Sequence, residues 1–99
     1  MTTLRVLGSG SRGNCIALEE GGATLLLDAG FSAKEIELRA AKCDLDLSTL
    51  VGIAVTHEHG DHAKGAARLS TKYGVPVIGS PGTLLAIAAA EVRDRKSVV

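Results

Sequence analysis

Six consecutive residues, His57-Glu58-His59-Gly60-Asp61-His62, place four potential metal ligands in one short segment that also holds every histidine of the chain. In an extended segment alternate side chains point the same way, so His57 and His59 present two imidazoles to one cation. Asp61 and His62 fall where the next helix begins and can hold a second cation. Imidazole and carboxylate suit zinc, and also manganese or iron. A cation so held acidifies its bound water toward neutrality and gives a hydroxide nucleophile without a separate strong base. Gly60 lets the backbone turn tightly between the two ligand pairs. Glu58 points away from the side of His57 and His59 and reads as a solvated or supporting group. The plainer interpretation is a polar helix entry with solvated histidines, and it accounts poorly for this ligand density directly after a buried strand.

The cluster needs rigid elements on both sides, and the pattern of apolar residues predicts them. Val51 to Val55 (VGIAV) is an apolar strand that ends at the cluster. Upstream, Leu4 and Val6 alternate in a short strand that breaks into the glycine-rich stretch Gly8 to Gly13. Asn14 to Glu19 alternates again, Glu20-Gly21-Gly22 is a turn, and Thr24 to Asp28 is an apolar strand, which together predict a hairpin. Ser32 stands three residues before Glu35, a capping-box spacing, and Ile36, Ala40 and Cys43 form one stripe of a helix from Ala33 to Lys42. Beyond the cluster, Ala63 to Tyr73 predicts a second helix ending at Gly74. Val75 to Ile78 is a short strand whose Pro76 marks an edge or a strand start. Ser80-Pro81 opens a helix through Leu84, Leu85, Ala88 and Val92. The order β, β, β, α, β, α, β, α predicts an α/β layered domain.

Composition narrows the function. Eleven Lys+Arg balance eleven Asp+Glu, which excludes a nucleic-acid grip resting on bulk positive charge, so any anion must be held by a local site. At 45% hydrophobic the chain is too apolar to be disordered, and with aromatics at 2% its core is built from Ala, Leu, Val and Ile. No apolar run approaches the ~20 residues that cross a bilayer, and the first residues lack a signal-peptide core, so a cytoplasmic location without membrane association is expected. Cys15 and Cys43 are too few for a disulfide framework and are expected to be small buried residues. A chain of 99 residues forms one small domain or part of a larger one.

The run Thr56 to His62 (THEHGDH) resembles the His-x-His-x-Asp-His signature of the metallo-β-lactamase-fold hydrolases, and Leu25 to Gly30 (LLLDAG) resembles that fold's earlier strand-end aspartate motif. The resemblance runs to about Val92. Gly8 to Cys15 (GSGSRGNC) is most similar to the YycJ/WalJ-like branch, cytoplasmic enzymes described as DNA exonucleases. It implies the N-terminal half of an αββα sandwich over residues 1–93, and a metal-dependent hydrolase of phosphodiesters, with DNA as the expected substrate. By the same resemblance two divalent ions, zinc foremost, are bound, the first by His57 and His59 and the second by Asp61 and His62, with Asp61 also counted as catalytic. Asp28 is expected to brace the ligand loop. A carboxylate at the end of a buried strand needs a hydrogen-bonding partner, which agrees with that role.

The family completes its two-metal site with further histidines and a bridging aspartate from the second half of the fold, and this chain has no histidine outside 57–62. Two ligands per ion predict weak metal binding and little activity from this chain alone. Half of the fold also leaves a sheet face or edge uncovered, to be covered by the C-terminal half. Residues 94–99 (DRKSVV) match the peptide encoded by a common sequencing-library adapter and are expected to be an artefactual or disordered tail; an ordinary polar terminus fits the same six residues.

Other interpretations attach to the same residues. Gly8 to Gly13 matches the G-x-G-x-x-G dinucleotide fingerprint, but a helix should follow the third glycine and Asn14 to Leu18 reads as strand. As a loop bordering a metal cleft, the stretch instead offers Ser11, Arg12 and Asn14 to a substrate phosphate. Thioester or lactone hydrolysis shares the histidine motif. A non-catalytic binding module would need no metal at all.

Overall fold

The computed structural model of the chain describes residues 2–10, 13–56, 63 and 65–85. Within them a five-stranded sheet runs in the order β1 (Thr3–Gly8), β2 (Cys15–Glu20), β3 (Ala23–Leu27), β4 (Leu50–Ala54) and β5 (Val77–Ile78). The first three strands form an antiparallel meander, and β4 and β5 add in parallel. The parallel steps need crossovers, which are supplied by α1 (Ala33–Lys42) between β3 and β4 and by α2 (Ala66–Tyr73) between β4 and β5. The α/β layering expected from the sequence is therefore present.

Local chemistry explains where the elements begin and end. Gly21 and Gly22 have φ of 58° and 81°, as a two-residue turn twisted to match its strands requires, and they join β2 to β3. The Ser32 hydroxyl accepts the Glu35 N–H at 3.2 Å and starts α1, as the spacing predicts. Glu35 does not return the bond to Ser32; it pairs with Arg39 one turn later. The Ser80 hydroxyl likewise accepts from the Thr83 N–H at 3.2 Å, and residues 81–85 are helical. The continuation of that helix to Val92, and the tail 94–99, lie outside the described residues.

Several boundaries differ from expectation. Asn14 stands before β2, because its side chain bonds back to Gly10. Asp28 leaves β3 with φ of 64°. The strand expected over Val75 to Ile78 shrinks to Val77–Ile78, because the Val75 N–H closes the end of α2 on the Ser70 carbonyl at 3.1 Å. Regular α2 starts at Ala66, three residues later than Ala63. A short 3-10 helix, Leu47–Thr49, was not foreseen; the Asp46 carboxylate caps it by accepting from the Ser48 N–H at 2.9 Å. Cys43 caps the end of α1 and is only half-buried, whereas Cys15 is fully buried.

The two faces of the sheet differ. Ala17, Leu26 and Ile53 lie in one row across β2, β3 and β4, all three fully buried under Ile36 and Ala40 of α1 and Ala66 and Leu69 of α2. Arg5 ends that row on β1 and carries its guanidinium out to Glu19 and the Cys43 carbonyl. On the opposite face Val6, Ile16, Leu27, Ala54 and Ile78 form a continuous apolar row, with Leu4, Leu18 and Leu25 beside it. Leu4, Val6 and Ile78 are each more than half exposed, so among the described residues this apolar face has no covering layer. Among the described residues no helix is long and apolar enough to cross a membrane.

Candidate metal centre

The ends of β3 and β4 meet at the site. β3 gives way at Asp28, whose left-handed backbone turns the chain out of the sheet, a conformation that aspartate tolerates better than most residues. The Asp28 N–H still donates to the Ala54 carbonyl at 2.7 Å, which holds the turn against the end of β4. Its carboxylate reaches across the same gap. Oδ1 accepts the Thr56 backbone N–H at 2.8 Å and lies 3.0 Å from the Thr56 hydroxyl, which is also 3.0 Å from Oδ2. Thr56 is the residue before His57. Bonds to an ionised acceptor are the stronger kind, so the departure of the chain from β4 is fixed at the residue before the histidine run.

The far side of that run is fixed to the same segment. The Gly65 N–H donates to the Ala29 carbonyl at 2.7 Å, and Ala29 is fully buried. A Cβ on Gly65 would lie 2.4 Å from the Phe31 carbonyl oxygen and 3.1 Å from the Ala33 nitrogen, so only glycine permits this approach. Residues 28–31 therefore anchor both flanks of the segment 57–62, by the Asp28 side chain on one side and the Ala29 backbone on the other. Sequence reasoning identified Asp28 and missed Gly65; the short interval between the histidine run and this glycine was the available signal.

Phe31 organises the neighbouring glycine-rich stretch. Its ring fills the space where side chains of Gly8 and Gly13 would stand, with virtual Cβ distances of 2.4 Å and 2.7 Å, and the Arg39 guanidinium lies 4.0 Å from the ring centroid. Arg39 also donates to the Leu7 carbonyl at 2.8 Å. The Gly30 N–H donates to the Asn14 carbonyl at 2.9 Å, so the stretch is tied to residues 30 and 31 by backbone and ring together.

Of the predicted site residues, Asp28 and Asn14 are described. The Asn14 amide accepts from the Gly10 N–H at 3.2 Å and donates to the Gly10 carbonyl at 3.1 Å, closing the chain across residues 10–14. This use of the amide is structural, and no spacing rule had indicated it. His57, Glu58, His59, Asp61 and His62, and also Ser11 and Arg12, lie outside the described residues. Their donor chemistry, two imidazoles followed by a carboxylate and a third imidazole, fits a divalent metal, and the anchored flanks fit a ligand loop that must be held still. The dinucleotide interpretation of Gly8 to Gly13 fails: the chain after Gly13 is strand β2, antiparallel to β1, where that site needs a helix. Cys15, beside the stretch, has its thiol pushed up to about 12, chiefly by burial and secondarily by the charge of Asp28, so it remains a protonated packing group.

This geometry and sequence are those of a known family. The model of the metallo-beta-lactamase superfamily matches residues 8–98, and the chain belongs to that superfamily. Among curated proteins, Exodeoxyribonuclease YycJ of Bacillus anthracis is 42% identical over 78 residues, covering 79% of this chain and 30% of that protein. Exodeoxyribonuclease WalJ of Streptococcus pneumoniae is 40% identical over 78 residues, covering 79% of this chain and 29% of its own length. The chain thus spans about 30% of the length of the curated relatives it matches. Among solved structures, a metallo-β-lactamase of Cronobacter sakazakii with a HARLDQ motif superposes with a TM-score of 0.69 at 29% identity, over 79% of this chain and 32% of that one. The short form of human tRNase Z superposes with a TM-score of 0.71 over 96% of this chain and 41% of its own; at 22% identity that likeness speaks to the fold alone.

Proposed function

We propose that this chain is the ligand-bearing first part of a metal-dependent phosphodiesterase, with DNA as substrate and exonucleolytic cleavage as the reaction. The observation that supports this is the fixing of Thr56 and Gly65, which flank residues 57–62 in sequence, to Asp28 and Ala29. The relatives from Bacillus anthracis and Streptococcus pneumoniae, 42% and 40% identical, support the substrate class, since both bear the name exodeoxyribonuclease. In this reading His57 and His59 hold one divalent ion, and Asp61 and His62 hold a second. Zinc is favoured by the donor set, with manganese and iron as alternatives. Such ions, when bound, supply charge neutralisation on phosphate oxygens and an acidified water.

The chain's own residues do the positioning. Asp28 keeps Thr56, and with it the start of the ligand run, in one place without contributing a ligand. Phe31 and Asn14 hold the two ends of the stretch 8–13, from which Ser11 and Arg12 are proposed to meet a substrate phosphate. The remaining ligands are proposed to come from sequence beyond this chain, folded as a second sheet over the open apolar face made by Val6, Ile16, Leu27 and Ile78. The 99-residue chain alone is accordingly expected to bind metal weakly and to turn nothing over.

The test compares a protein joining this chain to the remainder of the fold with its His59→Ala variant, by elemental analysis and by hydrolysis of bis(p-nitrophenyl) phosphate and of a labelled DNA strand. Loss of metal and of turnover together is expected. Retention of both in His59→Ala would remove that histidine from the site, and a metal-replete native protein inert toward both substrates would overturn the phosphodiesterase reading.

A further inference from the structure

The chain carries no net charge, so a surface holding a phosphate backbone must concentrate its cations locally. The groove between the two helices, α1 and α2, does so. It is open, about 640 Å³ in volume, and lined by Ser32, Lys34, Glu37, Arg68, Thr71 and Lys72. Its cations are not equivalent. Lys72 pairs with Glu37 at 2.5 Å, and Glu37 also accepts from the Tyr73 hydroxyl at 2.7 Å, so the single carboxylate of the groove is already engaged at the end far from the site. Lys34 and Arg68, in the first turns of α1 and α2, are exposed and have no acidic partner among the described residues. Both helices start from the anchoring segment, α1 directly after Ser32 and α2 directly after Gly65, whose N–H is bonded to Ala29. The unpaired cations thus stand at the end of the groove that adjoins the candidate metal centre.

We propose that this groove is a binding site for the phosphate backbone of a single nucleic-acid strand, held by Lys34 and Arg68, along the path between the candidate metal centre and the outer surface. The shape favours one strand over a duplex. The eight residues of α2 extend about 12 Å, so the groove alongside offers length for only a few phosphates of one chain. The lining carries no aromatic ring on which a base would stack, so recognition is of backbone charge and not of sequence. The inference deepens the phosphodiesterase reading by locating the strand, and binding without turnover tests it separately.

The experiment uses the 99-residue chain and a fluorescein-labelled oligothymidylate of twelve nucleotides, with anisotropy read across a salt series. Each phosphate contact on a single strand adds roughly 0.7 to the slope of log K against log salt. The double variant Lys34→Gln, Arg68→Gln is expected to flatten that slope by about 1.4 and to weaken binding about tenfold at low salt, with an unchanged circular dichroism spectrum. Lys42→Gln, on the last turn of α1 beside a different groove with Arg39 and Cys43, is expected to change neither quantity. Absence of oligonucleotide binding by the native chain, an unchanged slope in the double variant, or an equal effect of Lys42→Gln would each overturn the proposal. Equal or tighter binding of a polyglutamate peptide of matched charge would assign the groove to acidic peptides and overturn it as well. Failure of the joined protein to hydrolyse phosphodiesters, with the salt slopes as expected, would sink the enzymatic reading and leave the groove standing.

Discussion

Asp28 and Thr56, 28 residues apart in sequence, are joined through both the backbone N–H and the hydroxyl of Thr56, at 2.8 Å and 3.0 Å from one carboxylate oxygen. The pair closes the gap between the ends of two parallel strands at the residue that precedes the histidine run in sequence. A carboxylate bonded to the residue before His57 is the arrangement the proposed bracing role requires, and its charge favours positive charge nearby.

Asp28→Asn isolates the charge of that carboxylate. Asparagine tolerates the left-handed backbone at this position and retains an acceptor oxygen, so the fold should persist. Affinity for zinc, measured by competition with a chelating dye in the joined protein, is expected to fall ~10 to 100-fold, the usual scale for groups that support a metal's ligands. Equal affinity in the two proteins would count against a bracing role.

Gly65→Ala tests the second anchor. The backbone of Gly65 has φ of −98°, which alanine adopts readily, so any effect is steric and arises from the 2.4 Å approach to the Phe31 carbonyl. A loss of about 1–3 kcal/mol in urea-unfolding stability is expected, typical of overpacking against atoms that cannot move aside. A midpoint within error of the native chain would show that Ala29 and Gly65 separate at no cost and that the run is anchored on one side only.

The bridge between the helices predicts two pH limits. Hydrogen bonds from Lys72 and then Tyr73 hold the Glu37 carboxyl below its ordinary 4.5, so its contribution to stability is complete above that value and is lost as pH falls through the lowered one. Burial, and then the bond to Glu37, pushes the Tyr73 hydroxyl from 10.0 up to about 12, so its contribution is complete below pH 10 and is lost between about 10 and 12. Urea midpoints of the native chain minus those of Tyr73→Phe should therefore decline across the alkaline window, and the difference from Glu37→Gln should decline in acid. A Tyr73→Phe difference that stays constant from pH 9 to 12 would show that the phenol is not linked to folding.

Much of the fold was legible because its determinants are local. The helix Ala33–Lys42 follows from the Ser32 cap and the Ile36 and Ala40 stripe, and its bounds agree with expectation residue for residue. The Gly21-Gly22 turn and the alternation of Ile16 and Leu18 gave the hairpin. Legibility failed where a capping or side-chain bond reaching back four or five residues overrode the alternation of a strand. Val75 is β-branched and apolar, yet its N–H closes α2 and does not join a strand. Asn14 alternates correctly with Ile16, yet its amide is taken by Gly10.

The sequence by itself determined the family and offered the candidate donors, since residue type and spacing are properties of the chain, and it pointed to Asp28 because a strand-end carboxylate needs a partner. Only the tertiary structure decided what that partner is. Thr56 comes within reach because β3 and β4 pair in parallel, which brings their ends together. The same holds for Phe31, the chain's one phenylalanine, whose ring meets Gly8 and Gly13 and whose carbonyl meets Gly65. These contacts join residues from three separate stretches, and no periodicity records them, because close packing is set by what the folded neighbours leave vacant.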